Sequence, residues 1–173
     1  MAQATALACL ALALSGAPEP QDADVLYLPT PYPVVDAMLR LAAPRAGEVL
    51  YDLGAGDGRI VIAAARDYGV RAVGIELDAR KAAQARANVR RAGLAHLVEI
   101  RQQDLFEADL REASVVTVFL FPEINERLAP KLRAELRPGA RVVSHRFGLG
   151  DWPPARRVAA HGHPLLLWAI PPR

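Results

Sequence analysis

Asp52-Leu53-Gly54-Ala55-Gly56-Asp57-Gly58 is the stretch of the chain best equipped for chemistry, a turn rich in glycine and flanked by carboxylates. Glycine lets a backbone take positive φ and lets a ligand approach without meeting a Cβ, and a helix starting after the turn offers unpaired N–H groups. The spacing then selects the ligand. A dinucleotide fingerprint needs G-x-G-x-x-G, but Arg59 occupies the third glycine slot, so the pattern is G-x-G-x-G. Asp52 and Asp57 would repel a pyrophosphate. They suit a zwitterionic, cationic ligand such as S-adenosylmethionine (SAM), whose amino group and sulfonium are positive and whose ribose hydroxyls want carboxylate acceptors. The plainer alternative is a glycine-rich connection that binds nothing.

Further acidic residues fall where such a ligand needs them. Glu76 ends an apolar run at 70–76, roughly twenty residues after the glycine turn, where a ribose diol is bound in nucleotide folds. Its alternative role is to favour the dipole of a helix starting near Asp78. Asp104 follows a run at 97–101 and can accept from an adenine amino group, or equally cap a short helix. Thr117, Phe119, Phe121, Pro122 and Asn125 cluster at and after another apolar run. They are the candidates for an acceptor channel, with Tyr27 and Thr30 closing it from the N-terminal side; those two, with Asp57, are also candidates for contact with the cofactor. Aromatic rings there can hold a cation, or can be core packing. His145 is read either as a base or as a hydrogen-bonded structural histidine. His161 and His163 are expected to be solvated in a hairpin turn, and their spacing makes no metal site.

Alternating patterns give the elements that must position these groups. A helix from Pro33 to Arg40 precedes a strand at 48–53, a helix at 58–68, a strand at 70–76, a helix at 78–92 and a strand at 97–101. A fourth strand at 114–120, a helix at 123–136 and a fifth strand at 140–145 continue the alternation of a doubly wound α/β sheet. Strand-like segments at 156–160 and 165–170, joined by His161-Gly162-His163-Pro164, predict a closing antiparallel hairpin. The expectation is a Rossmann-like fold with a mostly parallel sheet.

The chain's 173 residues and 52% apolar side chains suit one domain of ordinary size. A net charge of +2, with lysine only at positions 81 and 131 and arginines spread along the helices, requires no nucleic-acid partner. Cys9 is the single cysteine, and no Cys/His spacing suits zinc, so no metal is expected. Residues 4–14 form an apolar run followed by Ser15-Gly16-Ala17. That pattern fits either a targeting or anchoring segment over 1–17, too short to span a bilayer, or an Ala/Leu-rich helix. A catalytic domain over 18–173 is expected to follow it, and the location stays open between cytoplasm, membrane surface and export.

Four segments carry a family resemblance: Tyr27-Leu28-Pro29-Thr30-Pro31, the turn from Tyr51 to Val61, Val115-Val116-Thr117-Val118-Phe119-Leu120-Phe121-Pro122 with Asn125, and Arg141-Val142-Val143-Ser144-His145 with Trp152. After residue 24 the chain resembles class I SAM-dependent methyltransferases related to the protein-lysine methyltransferases of ATP synthase subunit c and the adenine nucleotide translocase, with their bacterial relatives. The resemblance implies a SAM cofactor held by Asp52, Gly54, Gly56, Glu76 and Asp104. It also implies transfer to a protein lysine, in an acceptor at or in a membrane. The sequence departs at Phe119, where many relatives carry tyrosine, so no phenol is there to steer an amine. A small-molecule methyltransferase shares the cofactor residues but needs a lid, and the connection after the fifth strand is short and proline-rich. A non-catalytic SAM-binding module is the remaining alternative.

Overall fold

The structure, a computed structural model, describes residues 28–172; the segment expected over 1–17 and the candidate Tyr27 lie outside them. The elements are α1 (Tyr32–Ala42), β1 (Val49–Leu53), α2 (Arg59–Tyr68), β2 (Arg71–Glu76), α3 (Ala79–Arg91), β3 (Val98–Gln102), β4 (Val115–Val118), α4 (Pro122–Glu135), β5 (Arg141–His145), β6 (Arg156–Ala160) and β7 (His163–Ala169). The strands form one sheet in the order β3-β2-β1-β4-β5-β7-β6. β1 to β5 run parallel, and β7 inserts antiparallel between β5 and β6. The expected mixed sheet closed by a hairpin is what forms.

Strands buried on both faces demand apolar residues at nearly every position, and two cores result. On one face Val34, Met38 and Leu39 of α1 and Ile60 and Val61 of α2 pack with Leu50, Val143 and Leu165. On the other, Leu128 and Leu132 of α4 pack with Leu53, Val116, Val142 and Trp168. Alternation along each strand therefore fixes which residues share a face. Asp52 and Thr117 stand opposite each other in the β1–β4 register, on the face covered by α1 and α2.

Most element ends shift by a residue or two from the sequence reading, and two of these shifts have a local reason that bears on the site. The fourth strand was expected to reach residue 120, but the ladder stops at Val118. Phe119 leaves it to lie against the His145 ring at 4.1 Å, while Leu120 packs beside Gly54. The hairpin turn is only His161-Gly162, with φ of 53° and 78°, a primed turn matched to strand twist. β7 consequently begins at His163, which is a half-buried ladder residue and not part of a solvated turn.

Candidate active site

The chain reverses its strand order between β1 and β4, and in open α/β sheets ligands bind in the crevice outside the carboxyl ends of the strands at such a point. A cleft of ≈ 280 Å³ lies there, walled by Asp52, Gly54, Asp57 and Glu76 on one side and by Phe119 and Phe121 on another, with Thr30 also on its wall.

The glycine turn is bent by its own backbone and held by a carboxylate. The amides of Gly54 and Ala55 both donate to the Ile75 carbonyl at 2.9 Å. Gly56 donates its N–H to Glu76 Oε2 at 2.7 Å, and the other oxygen of that carboxylate accepts from the Asp78 amide at 3.0 Å. Glu76 thus fastens the loop and also faces the cleft. Gly54 has φ +84°, and a Cβ there would sit 2.8 Å from Leu120 Cδ2. Gly74 of β2 is needed for closeness alone, because a Cβ would meet Ala55 Cβ and Ile100 Cδ1, each at 2.8 Å.

The electrostatics around Asp52 favour a cationic ligand. Asp52 is buried and accepts from Thr117 Oγ1 at 2.7 Å. Burial pushes its carboxyl up to about 7, the Glu76 and Asp57 carboxylates add to the rise, and the Thr117 hydrogen bond opposes it. A buried carboxyl destabilised by other carboxylates is a site short of positive charge. Asp57 is in a different position. Burial acts to raise its pKa, but the Arg59 fork, with contacts of 2.9 and 2.6 Å, outweighs that and lowers it. Arg59 then donates to the Thr30 carbonyl at 2.8 Å and lies over the Tyr32 ring. The glycine turn is thereby tied to the segment before α1.

Other expected site residues take other places. Thr117 is fully buried behind Asp52. Asp104 accepts from the Phe106 amide at 2.9 Å in a turn and not at the start of the short helix weighed in the sequence reading, and it is absent from the cleft wall. Pro122 is exposed at the start of α4, where a proline's missing N–H is not needed. Asn125 is completely buried with neither amide atom hydrogen-bonded, and it too lies off the wall. Sequence reasoning missed Lys81, Arg146 and Phe147 on that wall. Arg146 carried no signal because its φ of 73° arises only where β5 ends and its amide bonds the Pro164 carbonyl. Among the described residues no group of three or more His, Cys, Asp or Glu is placed to hold a metal ion, and no helix is long and apolar enough to cross a membrane.

The residues present fit SAM. Asp52 and Glu76 offer carboxylates to a cationic ligand on one side of the cleft, and Gly54 leaves exposed backbone beside them. Comparison with known proteins agrees. The sequence model described as the ANTKMT methyltransferase domain matches residues 52–156. The chain is similar to a protein-lysine N-methyltransferase from Saccharolobus islandicus (strain REY15A), 47% identical over 151 residues, covering 84% of this chain and 94% of that protein. It is 44% identical over 125 residues to the adenine nucleotide translocase lysine N-methyltransferase of Mus musculus, covering 72% of this chain and 54% of the mouse protein. The chain therefore spans about half the length of that animal relative. A crystal structure of an RNA methyltransferase from Salinibacter ruber in complex with S-adenosyl-L-homocysteine is 54% identical, with TM-score 0.82, covering 84% of this chain and 95% of that one.

Proposed function

The chain belongs to the ANTKMT methyltransferase family and is a SAM-dependent methyltransferase; from that premise we propose that it methylates the side-chain amine of a protein lysine. The observation that carries this reading is the match to a protein-lysine N-methyltransferase over 94% of that relative's length. Bound SAM supplies a methyl group on a positively charged sulfur that is already a good leaving group. The protein's task is then alignment and exclusion of water, and alignment alone can be worth ~7–11 kcal/mol.

In this reading Asp52 and Glu76 hold the cationic and ribose portions of the cofactor, and Gly54 and Gly56 give it backbone to lie against. Asp57 stiffens the turn through Arg59, while Asp104 is assigned the adenine end. Thr117 orients Asp52 from behind. Phe119 and Phe121 wall the acceptor side, where Phe121 is 49% exposed and can meet an incoming chain. Aromatic faces suit a long aliphatic stem with a cationic tip. Pro122 and Asn125 support that side from the first turn of α4, and Tyr27 with Thr30 approach from the N-terminal side. Residues 1–17 are assigned to a targeting or anchoring extension, and the acceptor to a protein at or in a membrane.

A second reading, transfer to RNA, is favoured by one observation, the similarity to the Salinibacter ruber enzyme. Incubating the protein with radiolabelled SAM and a lysate, then treating parallel samples with protease and with ribonuclease, separates the two. Label that resists ribonuclease and maps to lysine by peptide mass supports the proposal; label released only by ribonuclease rejects it.

A further inference from the structure

Two histidines and a threonine beside the cleft form a hydrogen-bonded line, and neither histidine has a part in cofactor binding in this reading. Thr30 lies on the cleft wall, and its Oγ1 is 3.2 Å from His145 Nδ1. His145 Nε2 is in turn 2.9 Å from His163 Nδ1. The β5–β7 register pairs His145 with Leu165, so His163, two residues away on β7, stands diagonally across on the same face. Phe119, a wall of the acceptor side, packs on the same His145 ring at 4.1 Å between centroids. The line thus begins where the reacting amine is to be placed, and it ends at a half-buried residue next to the exposed hairpin turn.

A lysine arrives as an ammonium and cannot attack until it loses a proton. At pH 7 only about one in two and a half thousand is neutral, taking the ordinary lysine value of ~10.4. We propose that Thr30, His145 and His163 carry that proton from the acceptor amine out of the cleft. This inference rests on the lysine reading.

The hydrogen bonds can all point one way. The Thr30 O–H donates to His145 Nδ1, and the His145 Nε2–H donates to His163 Nδ1, which leaves the Thr30 oxygen lone pairs for the ammonium. As the ammonium N–H breaks, its proton goes to Thr30 Oγ1, the Thr30 proton goes to His145 Nδ1, and the His145 Nε2 proton goes to His163 Nδ1. Positive charge ends on the His163 ring, from which water removes a proton. The freed amine lone pair then forms the C–N bond as the C–S bond breaks. His145 returns to its starting tautomer by giving its Nδ1 proton to cleft water and taking one from water at Nε2, and the Thr30 hydroxyl rotates to face Nδ1 again.

The charged surroundings suit His145 to passing a proton on and not to keeping it. Burial, then the neighbouring His163 and the Arg146 guanidinium, push His145 down to about 4. Arg59, the other cation near Thr30, is engaged by Asp57. Thr30 is the group placed to touch the substrate, while His145 and His163 act through it as positioning residues.

The test is lysine methylation turnover at saturating SAM from pH 7 to 9.5 in the intact protein. His163→Gln should lose about a hundredfold in kcat at pH 7. That deficit should shrink steadily towards pH 9.5, where the acceptor increasingly arrives neutral, and SAM affinity should stay within twofold. Thr30→Val should follow the same profile and Thr30→Ser, which keeps the hydroxyl, should not. A deficit equal at every pH, or none, in His163→Gln overturns the relay. If His163→Gln does not fold, the Thr30→Val and Thr30→Ser pair decides by the same criterion. Wild-type protein that methylates no lysine at any pH removes the parent reading, and the relay with it.

Discussion

Asp52 joins binding to protonation more directly than any other side chain in the cleft. Its carboxyl is held up to about 7 by burial and by the Glu76 and Asp57 carboxylates, so near neutrality the cofactor-free protein holds a proton there that a cationic ligand would displace. SAM affinity should therefore fall as pH drops below about 7, by at most about tenfold per pH unit for one proton. Calorimetry in buffers of different ionisation enthalpy should register proton release on binding near pH 6. Equal apparent enthalpy in all buffers would remove Asp52 from that role. The linkage to folding has the opposite sense. A carboxyl whose folded pKa is raised above its unfolded value binds more protons when folded, so its contribution to cofactor-free stability is present in the ordinary carboxylate range and is lost as pH rises through about 7. Melting of the cofactor-free protein should show Asp52→Asn gaining on wild type between pH 5 and 8. Glu76 has a double load, since the carboxylate that faces the cleft also fastens Gly56 and Asp78. Glu76→Ala should weaken SAM binding by about 1.5–3 kcal/mol, the scale of a hydrogen bond to a charged group, and unchanged affinity by calorimetry would release Glu76 from the site.

The elements hold these residues through close approach as much as through hydrogen bonds. Gly74 lies in the middle of β2 with an ordinary strand conformation, yet a Cβ there would press Ala55 of the glycine turn and Ile100 of β3 at 2.8 Å. Ala55 has no flexible end to swing away. Gly74→Ala should therefore shift the turn and weaken SAM binding at least tenfold, whereas Gly148→Ala, with open space around its Cβ position, should bind normally. Isothermal titration of both variants checks this, and equal affinities would mean the turn is not positioned by β2. The strand and helix order was legible in the sequence because buried parallel strands require unbroken apolar runs and the helices between them have a period of their own. The glycine turn was legible because few ligands tolerate two aspartates beside such a loop. What was illegible depended on where strands end in space. Phe119 leaves the β4 ladder to meet His145, and β7 starts two residues earlier than its apolar run, because His163 and Pro164 pair with Ala160 and Ala159. Local composition carries no record of those tertiary contacts, nor of Arg146 being turned to positive φ by the end of β5.

At the scale of the molecule, the two cores among the described residues are built from α1, which begins at Tyr32, and the elements after it. Val34, Val35, Met38 and Leu39 of α1 are wholly buried and cover the face on which Asp52, Thr117 and His145 stand. The short stretch before α1 joins the site through Thr30, whose carbonyl accepts from Arg59 and whose hydroxyl meets His145. Removal of residues 1–17, which the sequence pattern sets apart from the catalytic domain, should leave the melting temperature within about 2 °C, less than ~1 kcal/mol would produce in a domain of this size. SAM affinity should be unchanged, while any effect should fall on delivery of the protein to its acceptor. Cutting further, through residue 30, should be different in kind, because it removes the Thr30 partners of both Arg59 and His145. Scanning calorimetry of the two truncations beside the full chain checks both halves of the expectation. A loss of many degrees in the shorter truncation would show that residues 1–17 are packed into the fold and would end their assignment as a separate segment.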